Sequence, residues 1–373
     1  MGGSNIQPQT SSANRMQRRI HQLDAVRGVA ILLLMFHNSG SLPHLFAQGW
    51  MGVDLFFVLS GFLITGILAD TKQSEGYFKN FYVRRCLRIW PLYYSALFFM
   101  FVLVPFLRPS EAHTVFASRS SPWWAYPLFL QNFLVPSPTG ATGLLGVTWS
   151  LAVEEQFYLV WPWVIRYCSW TQVRRLALAV ICISPALRLY LVLHGVDIYP
   201  NVFCRLDSLM AGALLAIVVH SENFLPSNFI KRAWIALLIA APLAFITATA
   251  NARWIAFSFT AIASVSFVYL ALFSTEAWLR TALTNRFLIY TGTISYGLYL
   301  LHKIPFDVAK TFHFDRHPLL TLPIAIVASY ALATLSWNLL EKPFLRLKRF
   351  FESKSRRPEF ANGQFVLVPQ KGN

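Results

Sequence analysis

Charge is what this sequence has least of: 13% of its 373 residues are Asp, Glu, Lys or Arg, about half the share of an ordinary soluble domain. Acidic residues are the scarcer kind, 16 against 32 basic ones. So few charges cannot cover a soluble surface of this size, which excludes an ordinary soluble enzyme. Cysteine is sparse as well. Cys86, Cys168, Cys182 and Cys204 are scattered through apolar segments without metal-ligand spacing, so they form neither a disulfide framework nor a metal cluster and read as small buried hydrophobes. No fixed repeat period is visible, although inverted repeats can be too weak to see in one sequence. Arg15, Arg18 and Arg19 resemble a signal n-region, yet no small-residue cleavage site follows the first apolar run, which is therefore read as a retained span. Gly2 lacks a Ser or Thr at position 6, so the myristoylation pattern is missing too.

What is abundant is apolar: 55% hydrophobic residues and a mean hydropathy of +0.48. The fold class that follows is all-α, a polytopic transmembrane helical bundle. Apolar runs near 23–40, 51–69, 89–107, 148–168, 176–194, 203–220, 233–250, 254–273, 287–303 and 318–340 predict about ten spans. The stretch at 123–135 is too short and too rich in flanking proline to cross, and reads as a re-entrant or interfacial segment. The net charge of +16 raises nucleic acid as a partner, but the basic residues fall in short clusters between apolar runs, the pattern of the positive-inside rule. An even span count puts Lys79/Arg84/Arg85/Arg88, Arg174/Arg175, Lys231/Arg232 and Arg280/Arg286 on the cytoplasmic side with both termini. The organisation expected is a basic cytoplasmic tail over 1–20, a membrane domain over 21–345, and a basic unstructured cytoplasmic tail over 346–373. The lipid bilayer is thus a partner and nucleic acid is not.

Ionisable residues within apolar runs are costly and mark candidate sites. In the first span, 23–40, helical rise sets His37 about 15 Å beyond Arg27, near mid-membrane, as either a hydrogen-bonded packing histidine or a functional one. Asp54 opens a second span rich in Gly and Ser, either as a solvated or capping carboxylate or as a site residue. Arg84 and Arg88, four apart on one helical face with Arg85 beside them, read as topology determinants or as an anion clamp. Glu154 and Glu155 project about 100° apart, so one can face the bundle interior while the other seeks the interface. Arg205 with Asp207 reads either as a pair at the interface or as site residues, and His302, beside Lys303 at the outer end, as interfacial.

Six blocks in order, LDAVRGVAILLLMFH, GVDLFFVLSGFLITGIL, RRCLRIWPLYY, WSLAVEEQFYLVWP, RLDSLMAGALLA and SYGLYLLH, resemble the integral-membrane acyltransferase family 3 from about residue 21 to 345. The resemblance implies about ten spans and transfer of an acyl group, commonly acetyl from acetyl-CoA, to hydroxyls of extracytoplasmic glycans, in a bacterial inner membrane. By residue, it assigns the membrane histidine to His37, the first-span arginine to Arg27, the cytoplasmic arginine motif to Arg84, Arg85 and Arg88, and the carboxylate of the WSL block to Glu154. The family pattern has ten residues between the first arginine and the histidine; here there is one fewer, which turns Arg27 by about 100° relative to that pattern. Some relatives carry a C-terminal periplasmic hydrolase-like domain, and none is expected after the short tail here.

The expected mechanism follows: the arginines hold the phosphates of acetyl-CoA as donor substrate, His37 removes the proton of the attacking hydroxyl, and Glu154 or Asp54 orients the imidazole. An acyl-His37 relay is a variant. No tightly bound cofactor or metal is expected. The rival reading is a secondary transporter or exporter, since buried ionisable groups and broken helices also describe those.

Overall fold

The computed structural model describes residues 12–39, 46–107, 121–134, 143–221, 224–311, 318–351, 357–361 and 364–368. Helices cover every expected apolar run. They are α1 (Ser12–Ser39), α2 (Met51–Thr71), α3 (Tyr77–Leu107, with a π turn at Phe99–Leu103), α4 (Thr148–Tyr167), α5 (Trp170–Leu193), α6 (Leu206–Val219), α7 (Ser227–Thr249) and α8 (Arg253–Phe273). There follow the short α9 (Ala277–Leu283), α10 (Arg286–Thr293), α11 (Ser295–Leu301) and α12 (Lys303–Thr311), then α13 (Pro318–Ser336) and, past a π turn, α14 (Lys342–Arg346). Among the described residues, 6 helices are long and apolar enough to cross a membrane. The other expected positions are helical but shorter or more polar, and the 287–303 run is broken at Ile294 between α10 and α11.

Outward faces of α5 and α7 expose Ile183, Leu193, Leu238 and Ile239, as expected for helices bathed in lipid rather than water. Without a hydrophobic drive between helices in lipid, close backbone approach does the packing. Gly61 of α2 lies against the Leu209 carbonyl and Gly212 of α6 against the Val58 carbonyl, so a methyl at either position overlaps backbone. Gly28 of α1 and Gly292 of α10 meet the backbone of Leu288 and Asp24 in the same way.

The segment at 123–135 does not cross. Over its described part it forms a 3-10 turn (Trp123–Ala125) and a single helical turn (Gln131–Leu134), pinned when Tyr93 donates to the Tyr126 carbonyl at 2.7 Å and Gln156 to that of Phe129 at 2.7 Å. Two differences arise at the C-terminal end. After α14 the chain continues as a 3-10 turn, Leu347–Phe351, against α3, so residues 346–351 belong to the bundle and not to a tail. Beyond it, Arg357–Ala361 and Gln364–Val368 pair as an antiparallel ribbon. The cysteines also diverge from expectation: Cys204 is buried but Cys182 is exposed on α5.

At the opposite end of α2 lies a buried charge cluster. Arg205 and Asp207 are not partners of each other. Arg205 Nη2 donates to Asp54 Oδ2 at 3.0 Å, both side chains fully buried, and Ser208 adds a 2.8 Å bond to Oδ1. Asp207 accepts instead from Arg188 Nη1 at 2.8 Å, and Arg188 also donates to the carbonyls of Cys204 (2.8 Å) and Trp254 (2.7 Å) and to Ser258. These two pairs join α2, α5, α6 and α8. The remaining faces of the Arg205 guanidinium are packed by Phe57, Trp149, Tyr199 and Phe257, the last with its ring centroid 3.9 Å away.

Removing one member of a buried pair strands the other. Asp54→Ala or Arg205→Ala alone is expected to destabilise the bundle by about 3–5 kcal/mol. Apolar replacement of both, Asp54→Leu with Arg205→Met, is expected to recover most of that loss. Thermal unfolding in detergent, followed by tryptophan fluorescence, compares the variants.

Candidate active site

α1 presents ionisable groups at two depths, and each faces its own cavity. The first cavity, of about 120 Å³, is lined by Arg27, Ser60, Arg85, Arg88, Glu154 and Tyr296, among others. Arg27 reaches it while Nη1 donates to Asp24 Oδ1 at 2.8 Å, so the shortened spacing to His37 does not turn it away. Ser60 donates to Glu154 Oε1 at 2.6 Å, and the Tyr158 hydroxyl donates to Ser60 Oγ at 3.1 Å. Arg85 lies over the Tyr158 ring, 5.4 Å from its centroid. Among the described residues, neither Arg85 nor Arg88 has a carboxylate within ion-pair distance. Two guanidinium groups in one recess, neither ion-paired among the described residues, could hold an anion.

The arginine face differs from expectation. Arg85 and Arg88, three apart, share the first cavity, whereas Arg84 is rotated into a neighbouring one with Tyr77, Asn80, Arg85 and Lys348. Glu154 projects into the first cavity; Glu155 lies outside its walls with Oε1 buried and unpaired among the described residues.

The second cavity, of about 400 Å³, is lined by His37, Asn38, Trp50, Asp197, Arg253 and Lys303, among others. His37 Nδ1 is 3.2 Å from the Phe46 carbonyl. A carbonyl can only accept, so this contact assigns the proton to Nδ1 and makes Nε2 the ring nitrogen that could act as a base. The backbone of Phe46 thus orients the ring, a role that the sequence assigned to Glu154 or Asp54. Asp54 lines neither cavity, since its carboxylate is held by Arg205 and Ser208. His302, expected at the interface, is fully buried. Its Nδ1 donates to the carbonyls of Leu298 and Tyr299, each at 2.9 Å, so Nε2 accepts from the Asn38 amide at 3.1 Å. It thereby fixes the residue next to His37.

Val53 and Tyr299 line both cavities. The Tyr299 hydroxyl donates to the Val147 carbonyl at 2.8 Å and is bonded to Ser150, so the ring stands between the arginine recess and the histidine recess. Tyr299 lies in the SYGLYLLH block, where an aromatic residue in an apolar run carries no charge to betray it. Glu341 lies one residue beyond the apolar run 318–340. It is buried in the π turn after α13, accepts from Ser336 at 3.3 Å, and has Arg88 as its main electrostatic neighbour.

Residues 20–338 match the acyltransferase domain family. The chain is similar to the peptidoglycan O-acetyltransferase OatA of Listeria monocytogenes, 27% identical over 88% of this chain and 56% of that protein. It is also similar to YrhL of Bacillus subtilis, 29% identical over 91% of this chain and 57% of that protein. The chain therefore spans little more than half the length of these curated relatives. No solved structure matches it. With the match running through nearly all of the helical bundle and both cavities, the chain belongs to the integral-membrane acyltransferase family 3.

Proposed function

We propose that this protein is an O-acyltransferase that moves an acyl group, acetyl foremost, from cytoplasmic acyl-CoA to a hydroxyl of a cell-surface or exported glycan. The observation that carries this reading is the pair of cavities sharing Val53 and Tyr299, one lined by Arg85 and Arg88, which among the described residues have no carboxylate within ion-pair distance, and the other by a histidine held through Nδ1. Arg27 and His37 lie about 15 Å apart along α1, comparable with the reach of the arm that separates the CoA diphosphate from its thioester. In this reading the phosphates sit against Arg27, Arg85 and Arg88 on the cytoplasmic side, and the thioester passes Tyr299. The relatives' names support a peptidoglycan-type acceptor.

His37 Nε2 takes the proton of the acceptor hydroxyl as its oxygen attacks the thioester carbonyl. The C–S bond then breaks, the acyl group stays on the acceptor oxygen as an ester, and the CoA thiolate recovers the proton from the imidazolium. Arg253 and Lys303 place positive charge in the same cavity, where it favours the oxyanion of the tetrahedral intermediate. Glu154 and its Ser60 and Tyr158 bonds set the polar wall of the arginine recess.

Loss of a general base typically costs about 10²- to 10⁴-fold, so His37→Ala is expected to abolish most acetyl transfer while leaving donor binding intact. Acetyl-CoA turnover by purified protein in detergent, with a soluble muropeptide as acceptor, measures the first; equilibrium binding measures the second. Normal turnover by the folded variant would remove His37 from the chemistry, and no CoA release by the wild type would favour a transporter. Of the adjacent carboxylates, Glu154→Ala is expected to impair turnover more than Glu155→Ala at matched expression, because Glu154 faces the recess. The reverse order would contradict that facing. Arg85→Ala or Arg88→Ala is expected to weaken acetyl-CoA binding by about tenfold or more, and lysine to restore only part, since an ammonium lacks the planar fork. Unchanged affinity in both alanine variants would sink the donor-site assignment.

A further inference from the structure

Beside the arginine recess is a third, smaller cavity of about 50 Å³, walled by Thr71, Ser74, Asn80, Arg84, Arg85 and Lys348. Arg85 borders both cavities. Lys348 stands on the 3-10 turn Leu347–Phe351, which extends the last helix along α3 into what the sequence presents as tail. It is partly buried, and the charges acting on it are those of Arg88, Arg85, Arg84 and Arg27, all of its own sign. Among the described residues neither Arg84 nor Lys348 has a carboxylate within ion-pair distance. Like charges held together against their repulsion call for an anion between them. The neutral wall fits one too, for the Asn80 amide supplies hydrogen-bond donors alongside the cations, whereas the Ser74 hydroxyl is given to the Thr71 carbonyl.

Size and position select the anion. A volume of about 50 Å³ matches a phosphate-sized group. Arg84 precedes Arg88 by one turn of α3, on the side away from His37, so this cavity lies further from the reacting end than the recess that takes the diphosphate.

We infer that the cavity walled by Arg84, Arg85 and Lys348 is a separate phosphate subsite for the ribose 3′-phosphate of the donor, and that Lys348 makes the protein discriminate CoA from nucleotides lacking that phosphate. The inference rests on the donor reading above, and its test separates the two. Equilibrium binding of acetyl-CoA and acetyl-3′-dephospho-CoA is measured for the wild type, Lys348→Ala and Lys348→Arg, in detergent free of anionic lipid. The wild type is expected to prefer acetyl-CoA by on the order of tenfold, the worth of one charge-assisted phosphate contact. Lys348→Ala is expected to lose that preference by weakening acetyl-CoA alone, and Lys348→Arg to keep most of it. A misfolded variant would bind neither ligand, so retained binding of the dephospho analogue by Lys348→Ala is the internal check on its fold, and Lys348→Glu, expected to repel the 3′-phosphate, repeats the test should alanine fail that check. Equal binding of both ligands by the wild type, or an undiminished preference in Lys348→Ala, would overturn the subsite while leaving the donor reading in place. That is also the outcome if the cavity serves the phosphate of an anionic lipid. No binding of either ligand by the wild type would overturn both.

Discussion

The arrangement depends on two ion pairs sealed inside the bundle, Asp54–Arg205 and Arg188–Asp207. In a low-dielectric interior an unpaired charge is strongly penalised, so these residues are tolerable only when α2, α5 and the start of α6 bring all four together. The glycine contacts between α2 and α6 let the helices approach closely enough for Asp54 to reach Arg205. The same cluster orders Trp149 and Tyr199 around the Arg205 guanidinium, and both rings also form part of the wall around His37. A structural charge cluster thus holds up one side of the chemical one.

The buried ion-pair cluster and the arginine recess differ in how their charges are treated. Arg188 and Arg205 are each matched to a carboxylate, whereas among the described residues Arg85 and Arg88 have none within ion-pair distance and line open space. Tyr299, fastened by Ser150 and the Val147 carbonyl, stands where the spaces adjoin, so movement of one ring would join or part them. His302 contributes from behind by fixing Asn38, the neighbour of His37.

Much of this was legible in the sequence because lipid leaves so few reasons for an ionisable residue in an apolar run. His37, Arg27, Arg85, Arg88 and Glu154 stood out by position and do line the two recesses. Pairing was not legible. Arg205 and Asp207 are near in sequence, yet each takes a partner from a different helix, Asp54 lying 151 positions away from Arg205. Nor could periodicity tell that the Phe46 backbone would hold the His37 ring, since carbonyl placement by a loop leaves no mark in residue type. Glu341 and Lys348 lie beyond the end of the last apolar run, where a π turn and a 3-10 turn carry the chain on along the bundle without an apolar signal.

The most direct test of the central claim, that donor phosphates and reacting carbonyl occupy two recesses joined past Tyr299, is a structure of the protein in a lipid nanodisc with a non-hydrolysable acetyl-CoA analogue. The account predicts the diphosphate against Arg85 and Arg88 and the acetyl carbonyl beyond Tyr299, within reach of His37 Nε2. An analogue whose acetyl group stays on the arginine side of Tyr299, or whose nucleotide enters through the His37 cavity, would contradict it.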